Sequence, residues 1–153
     1  MISAGAPAPD FTLPRTGGGT LTLSALRPAK VVLYFYPKDD TPGCTTEALD
    51  FTRLAARFRA AGTEVIGISK DSLARHESFC AKHRLGVTLV SDAEGRVCEE
   101  YGVWGEKKLY GRAFMGITRT TVLVGGDGIV AQVWPRVTVA GHAEEVLAAA
   151  AAL

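Results

Sequence analysis

The stretch Lys30-Val-Val-Leu-Tyr-Phe-Tyr-Pro-Lys-Asp-Asp-Thr-Pro-Gly-Cys-Thr-Thr-Glu47 changes character halfway along. From Lys30 to Tyr36 it is a continuous β-branched and aromatic run without alternation, the pattern of a central strand buried on both faces. Pro37 to Gly43 is a loop. Within it Thr41 has the residue type of a helix N-cap and Pro42 that of a first helical position. A helix is therefore expected from about Pro42. Phe51, Leu54, Ala55 and Phe58, at i, i+3, i+4, i+7 spacing, continue the helical pattern. Ala61-Gly62 ends it, with Gly62 suited to the position just past the last turn.

Outward from this unit the strand and helix patterns alternate. Glu64 to Ser69 reads as a second buried strand. Ser72 is placed to cap a helix that runs to about Arg84 and is closed by Gly86. Val87 to Ser91 is a short strand and Glu94 to Tyr101 a short helix. Thr118 to Val124, the turn Gly125-Gly-Asp-Gly128 and Ile129 to Trp134 form a β-hairpin. A last helix starts near Gly141. Two βα units, a hairpin and a C-terminal helix make an α/β protein of thioredoxin-like fold, a central mixed sheet flanked by helices. The first residues and the Gly17-Gly-Gly-Thr20 turn are an N-terminal extension of it. A length of 153 residues fits one domain, residues 1–153, with no internal repeat or linker.

Composition excludes several functions. The chain is 47% apolar and 22% charged with a formal net charge of +1, so no electrostatic case exists for nucleic acid or an anionic membrane as partner. Its apolar runs, such as Val31 to Tyr36 and Val146 to Leu153, are too short to span a bilayer. The first residues lack the basic and apolar regions of a secretory signal, which makes the cytoplasm the expected location. Neither glycine cluster continues into Lys-Ser or Lys-Thr, so a phosphate-binding P-loop is not supported.

Three cysteines, Cys44, Cys80 and Cys98, do not suit a paired structural framework. No CxxC is present, and His76, His83 and His142 are scattered without zinc-ligand spacing. Each cysteine is then a small buried hydrophobe or a reactive thiol. Cys44 has the context for reactivity. It falls beyond the carboxyl end of a central strand, where open α/β sheets bind ligands. It also falls in the first turn of a helix, where free N–H groups and the helix dipole favour thiolate, the nucleophilic form.

Tyr36-Pro-Lys-Asp-Asp-Thr-Pro-Gly-Cys-Thr-Thr-Glu47 resembles the active-site segment of peroxiredoxins, whose Pro-x-x-x-Thr-x-x-Cys pattern falls on Pro37, Thr41 and Cys44. The specific resemblance is to the Q-type subfamily, also called bacterioferritin comigratory protein. It extends through Gly105-Glu-Lys-Lys-Leu-Tyr-Gly111, Met115-Gly-Ile-Thr-Arg-Thr-Thr121 and Val139-Ala-Gly-His-Ala-Glu-Glu-Val146. The resemblance implies a thiol peroxidase with Cys44 as the peroxidatic cysteine. Thr41 would hydrogen-bond peroxide and thiolate, and Pro37 would shield the sulfur from water. Arg119, on a strand from Thr118 to Val124, would hold the thiolate and polarise the peroxide, and Glu47 would orient Arg119.

Many Q-type members carry a resolving cysteine five residues after the first, where this chain has Leu49. Another version of the subfamily places it on the helix after the second central strand, where this chain has Cys80. The resemblance thus implies a Cys44–Cys80 disulfide, reduced by thioredoxin in a monomeric protein that uses no metal or cofactor. Cys98 is read as structural, His142 as a surface or capping residue, and Trp104 and Trp134 as packing residues. Two other readings stand beside this one: a peroxidase completed by an external thiol, and a sensor that relays Cys44 oxidation to a partner protein.

Overall fold

The computed structural model describes residues 1–153. Strands β1 (Thr12–Pro14) and β2 (Thr20–Thr22) pair across the Gly17–Thr20 turn, and a 3₁₀ turn over Leu23–Leu26 leads to β3 (Lys30–Phe35). There follow α1 (Pro42–Arg53), α2 (Ala55–Ala60), β4 (Thr63–Ser69), α3 (Leu73–His83), β5 (Thr88–Ser91) and α4 (Arg96–Glu100). The chain ends with β6 (Trp104–Leu109), β7 (Arg112–Ile117), β8 (Thr120–Val124), β9 (Val130–Trp134) and α5 (His142–Ala152). The central sheet has the order β5-β4-β3-β8-β9. Its first three strands are parallel, and β8 and β9 run antiparallel, the mixed sheet expected of a thioredoxin-like fold.

The unalternating composition of β3 follows from its central place. Val31, Leu33 and Phe35 enter one core with Phe11, Ile68 and Tyr101, while Val32, Tyr34 and Tyr36 enter a second with Cys44, Phe51 and Phe79. Phe51 is fully buried and its ring stacks on Tyr34 at 4.8 Å, so truncating it to alanine costs about 3–5 kcal/mol. Tyr34 lies in register with Gly67 of β4. A Cβ on Gly67 would stand 2.6 Å from Tyr34 Cζ and 2.7 Å from a Leu89 methyl, so only glycine lets the Tyr34 ring cross β4.

Local departures from the sequence reading have physical causes. The helix after Pro42 is broken at Leu54 (φ −97°, ψ 2°), and the bend keeps the rings of Phe51 and Phe58 together at 5.8 Å. Arg84 itself turns left-handed (φ 52°) and ends α3; Gly86 instead donates its N–H to Thr52 Oγ1 at 3.0 Å. The β6–β7 hairpin was not anticipated. Only its base, Trp104 and Ile117, packs on the core, while Leu109, Tyr110, Phe114 and Met115 are exposed, so no apolar periodicity marks it. No helix is long and apolar enough to cross a membrane.

Candidate active site

The loop after β3 delivers the chain to α1, whose inward face is Cys44, Glu47, Ala48 and Phe51. Pro42 begins the helix and Cys44, 2% exposed, lies in its first turn. Thr41 takes the N-cap position, and its carbonyl accepts from Thr45 N–H at 2.8 Å. Its side chain does not cap, contrary to expectation: the hydroxyl donates to Lys38 O at 2.8 Å and closes the loop. Pro37 is half-buried at the head of that loop.

Arg119 was expected on a strand. It sits instead in the short link between β7 and β8, because pairing with β3 begins only at Thr120. From there its Nη1 donates to Glu47 Oε1 at 2.7 Å and its Nη2 to Cys44 Sγ at 3.4 Å. Gly43 leaves room for this approach, since a Cβ there would lie 3.1 Å from Nη2. Burial pushes the Glu47 carboxyl up to about 7, against the attraction of Arg119. Burial also opposes the charge of Arg119, but the Glu47 carboxylate and the Cys44 sulfur outweigh it and raise its pKa, so the guanidinium is permanently charged. The buried side-chain polar atoms without a partner are Glu47 Oε2 and the Tyr34 hydroxyl.

All three cysteines are free thiols. Cys80 is half-buried on α3, and burial raises its pKa against a hydrogen bond from Thr16. Cys98 is fully buried on α4, where burial and the Asp92 carboxylate push its thiol far above the ordinary range. Asp92 also accepts the N–H groups of Val97 and Cys98. Leu49 is exposed. His142 is not a surface residue. It is 5% exposed, with Nε2 2.8 Å from Thr121 Oγ1 and its ring edge-on to Phe51 and Trp134. Burial lowers its pKa, which favours the neutral ring. Trp104 lies under Lys70 Nζ at 3.9 Å, and Trp134 Nε1 donates to Glu145 at 2.9 Å.

The sequence reading passed over a buried cluster. His76 and Asp39 are 0% and 3% exposed, with Nδ1 to Oδ2 at 2.6 Å. Ligand atoms of Asp39, Asp71 and His76 lie within 4.8 Å of one another, a spacing a metal ion would accept. The donor set is already engaged, however. His76 Nε2 faces Val90 O at 2.9 Å, and Asp71 accepts from Ser69, Arg75 and the Asp39 N–H. The cluster is a closed hydrogen-bond network and not an open ion site.

A cysteine under a helix N-terminus, with a fixed cation on its sulfur and a thioredoxin-like sheet behind it, defines a thiol-based redox enzyme. The sequence profile of the AhpC/TSA family matches residues 4–133. The chain belongs to that family, and within it to the thiol-dependent peroxidases known as peroxiredoxin Q or Bcp. It is similar to peroxiredoxin Bcp of Xanthomonas campestris, 48% identical over 145 residues, which cover 94% of this chain and 91% of that one. Peroxiredoxin Bcp of Bacillus subtilis is 42% identical over 146 residues, 95% of this chain and 93% of its own. A solved structure of the Xanthomonas campestris bacterioferritin comigratory protein, studied for its alkyl peroxide reduction activity, superposes with a TM-score of 0.91 at 44% identity and covers 97% of this chain and 98% of its own.

Proposed function

We propose that Cys44 is the peroxidatic cysteine and Cys80 the resolving one, in a single-domain monomeric cytoplasmic enzyme recycled by thioredoxin. The Cys44 thiolate attacks a peroxide oxygen, the O–O bond breaks, and water or an alcohol leaves a sulfenic acid behind. Arg119 holds the thiolate and stabilises charge on the departing oxygen. Glu47 aims Arg119, Thr41 hydrogen-bonds the peroxide, and Pro37 keeps water from the sulfur. Cys80 then forms a disulfide with Cys44, and a thioredoxin dithiol reduces it through a mixed disulfide.

The observation that carries this reading is the guanidinium shared between Cys44 Sγ at 3.4 Å and Glu47 Oε1 at 2.7 Å. Two supports come from relatives. Two solved Xanthomonas campestris structures are cysteine-to-serine mutants whose substituted positions are as far apart in sequence as Cys44 and Cys80. The alkyl peroxide activity studied in that protein favours organic hydroperoxides, besides hydrogen peroxide, as substrates here. The test is the intact mass of each Cys→Ser variant after one equivalent of peroxide. The reading requires a sulfenic acid on Cys44 and, in the parent, a disulfide that maps to Cys44 and Cys80. A disulfide through Cys98, or none, overturns it.

A further inference from the structure

Seven large apolar side chains are exposed, and four of them, Leu109 (56%), Tyr110 (95%), Phe114 (44%) and Met115 (55%), stand together on the β6–β7 hairpin. Single exposed apolar residues are ordinary on a protein surface, whereas a group in one place marks an interaction site. Tyr110 is the sharpest case. With Gly111 it forms the two-residue turn of the hairpin, at φ 51° and 75°. Both positions of such a turn suit Asn or Gly, and a bulky side chain is rarely held there. The ring enters neither core, so the strained backbone is not offset by burial.

Opposed residues of a hairpin share a face. Phe114 stands opposite Lys107, and Leu109 opposite Arg112. Leu109, Phe114 and Arg112 therefore share one face, and with Tyr110 they line an open hollow. Lys107 Nζ is held by Ile117 O at 2.9 Å. Arg112, and Lys108 on the other face, are exposed and enter none of the ion pairs of the chain. The hairpin is rooted beside the active site. β7 ends at Ile117, two residues before Arg119, and β8 then begins at Thr120, in register with Phe35 at the end of β3. The other foot, Trp104, lies under Lys70, the residue after β4. Both feet stand at the edge of the sheet from which the Cys44 loop springs.

We propose that this hairpin is the docking surface for the protein dithiol that reduces the enzyme, and that the docked face of that protein is apolar with a rim of carboxylates. This rests on the reading of a Cys44–Cys80 disulfide recycled by thioredoxin. Aromatic residues, Met and Arg are the composition of interface centres, and carboxylates opposite Lys108 and Arg112 guide the approach. Side chains of these sizes and exposures present roughly 500 Å² together, the size of a functional patch on a monomer. That suits a transient redox encounter, which buries less than about 1,200 Å² over both partners, and falls short of the ~1,600 Å² of a stable complex such as a dimer. In the docked pair a thiolate of the partner attacks one sulfur of the enzyme disulfide. The S–S bond breaks as the mixed disulfide forms, and the freed sulfur takes a proton. The second thiol of the partner then displaces the other enzyme sulfur. Two electrons have passed to the enzyme, and the partner leaves as its own disulfide.

The test uses the whole protein and three variants. Tyr110→Asn keeps a residue suited to the turn and removes the ring, Leu109→Ser/Phe114→Ser removes the apolar face, and Lys108→Glu/Arg112→Glu reverses the charge. The kcat/KM for reduced thioredoxin should fall about tenfold or more in the first two. In the third it should fall as well and lose its dependence on salt. The rate constant for peroxide consumption, and turnover with dithiothreitol, which has no surface to dock, should match the parent in all three. Thioredoxin kinetics at the parent level in every variant overturn the proposal. An equal loss with dithiothreitol also overturns it, since the damage then lies in the fold. So does binding of the parent, but of no variant, to vesicles of anionic phospholipid with thioredoxin kinetics unchanged, which assigns the hairpin to a lipid surface. Failure of thioredoxin to reduce the parent, where dithiothreitol succeeds, overturns the choice of reductant itself and is told apart because no variant is involved.

Discussion

One guanidinium nitrogen of Arg119 lies 3.4 Å from the sulfur of Cys44, although the two residues are 75 positions apart in sequence. The contact joins the first turn of α1 to the link between β7 and β8, and it sets the first expectations for experiment.

Arg119→Met keeps most of the side-chain volume and removes both donors. Peroxide attack should slow about 100-fold or more, the usual cost of losing a donor aimed at developing charge. Arg119→Lys should recover little, because one ammonium cannot reach Glu47 and Cys44 in the same fork. Stopped-flow peroxide kinetics measures both; a rate within threefold of the parent for Arg119→Met contradicts the assignment.

Cys44→Ser should abolish peroxidase turnover with the fold intact. A hydroxyl fits the 2% exposed site but is far too weak an acid to provide the nucleophile. Circular dichroism together with peroxide consumption checks both halves of the statement.

Glu47 should give a signature in stability against pH. Burial raises its folded pKa to about 7 from an ordinary 4.5. Between those values the folded protein keeps a proton that the unfolded chain has released. The stabilisation is complete below about 4.5 and is lost as pH rises through 7. The stability of the parent relative to Glu47→Gln should fall across that window by on the order of a few kcal/mol. Urea unfolding of both proteins at either end measures it, and a constant difference means that the carboxyl ionises normally.

The two remaining cysteines should separate cleanly. Cys80→Ser should complete the first step and then accumulate sulfenic and sulfinic acid. Cys98→Ser should cycle like the parent, and native Cys98 should resist alkylation, because its thiol is fully buried beside Asp92 and pushed far up in pKa. Mass spectrometry after graded peroxide distinguishes them; reversed phenotypes would reassign the resolving role.

What the sequence made legible was carried by local pattern. β3, the start of α1 and the Ser72 cap, whose hydroxyl accepts from Arg75 N–H at 3.2 Å, are set by residues within a few positions of one another. The partnership of Arg119 with Cys44 and Glu47 was expected from family resemblance, since no spacing rule joins residues so far apart. The burial of His142 against Thr121 and the pairing of Asp39 with His76 were not legible, because both partners come together only once the sheet has formed. Thr41 shows a different limit. Its residue type fitted a cap, and position and backbone agreed, but its hydroxyl turns back to donate to Lys38 O and accepts no helix N–H.

Gly67 has no side chain and no place in the chemistry, yet it sets the floor under Tyr34, whose ring stacks on Phe51 below α1. Its backbone is an ordinary strand, so nothing in its conformation demands glycine. The demand is for empty space. A saturation screen for peroxide resistance would therefore score Gly67 as intolerant as Cys44, and alanine, the mildest replacement elsewhere, would already fail by pushing Tyr34 upward. Variants at the two positions would part company in the test tube: one population folded and inert, the other depleted before any peroxide is met.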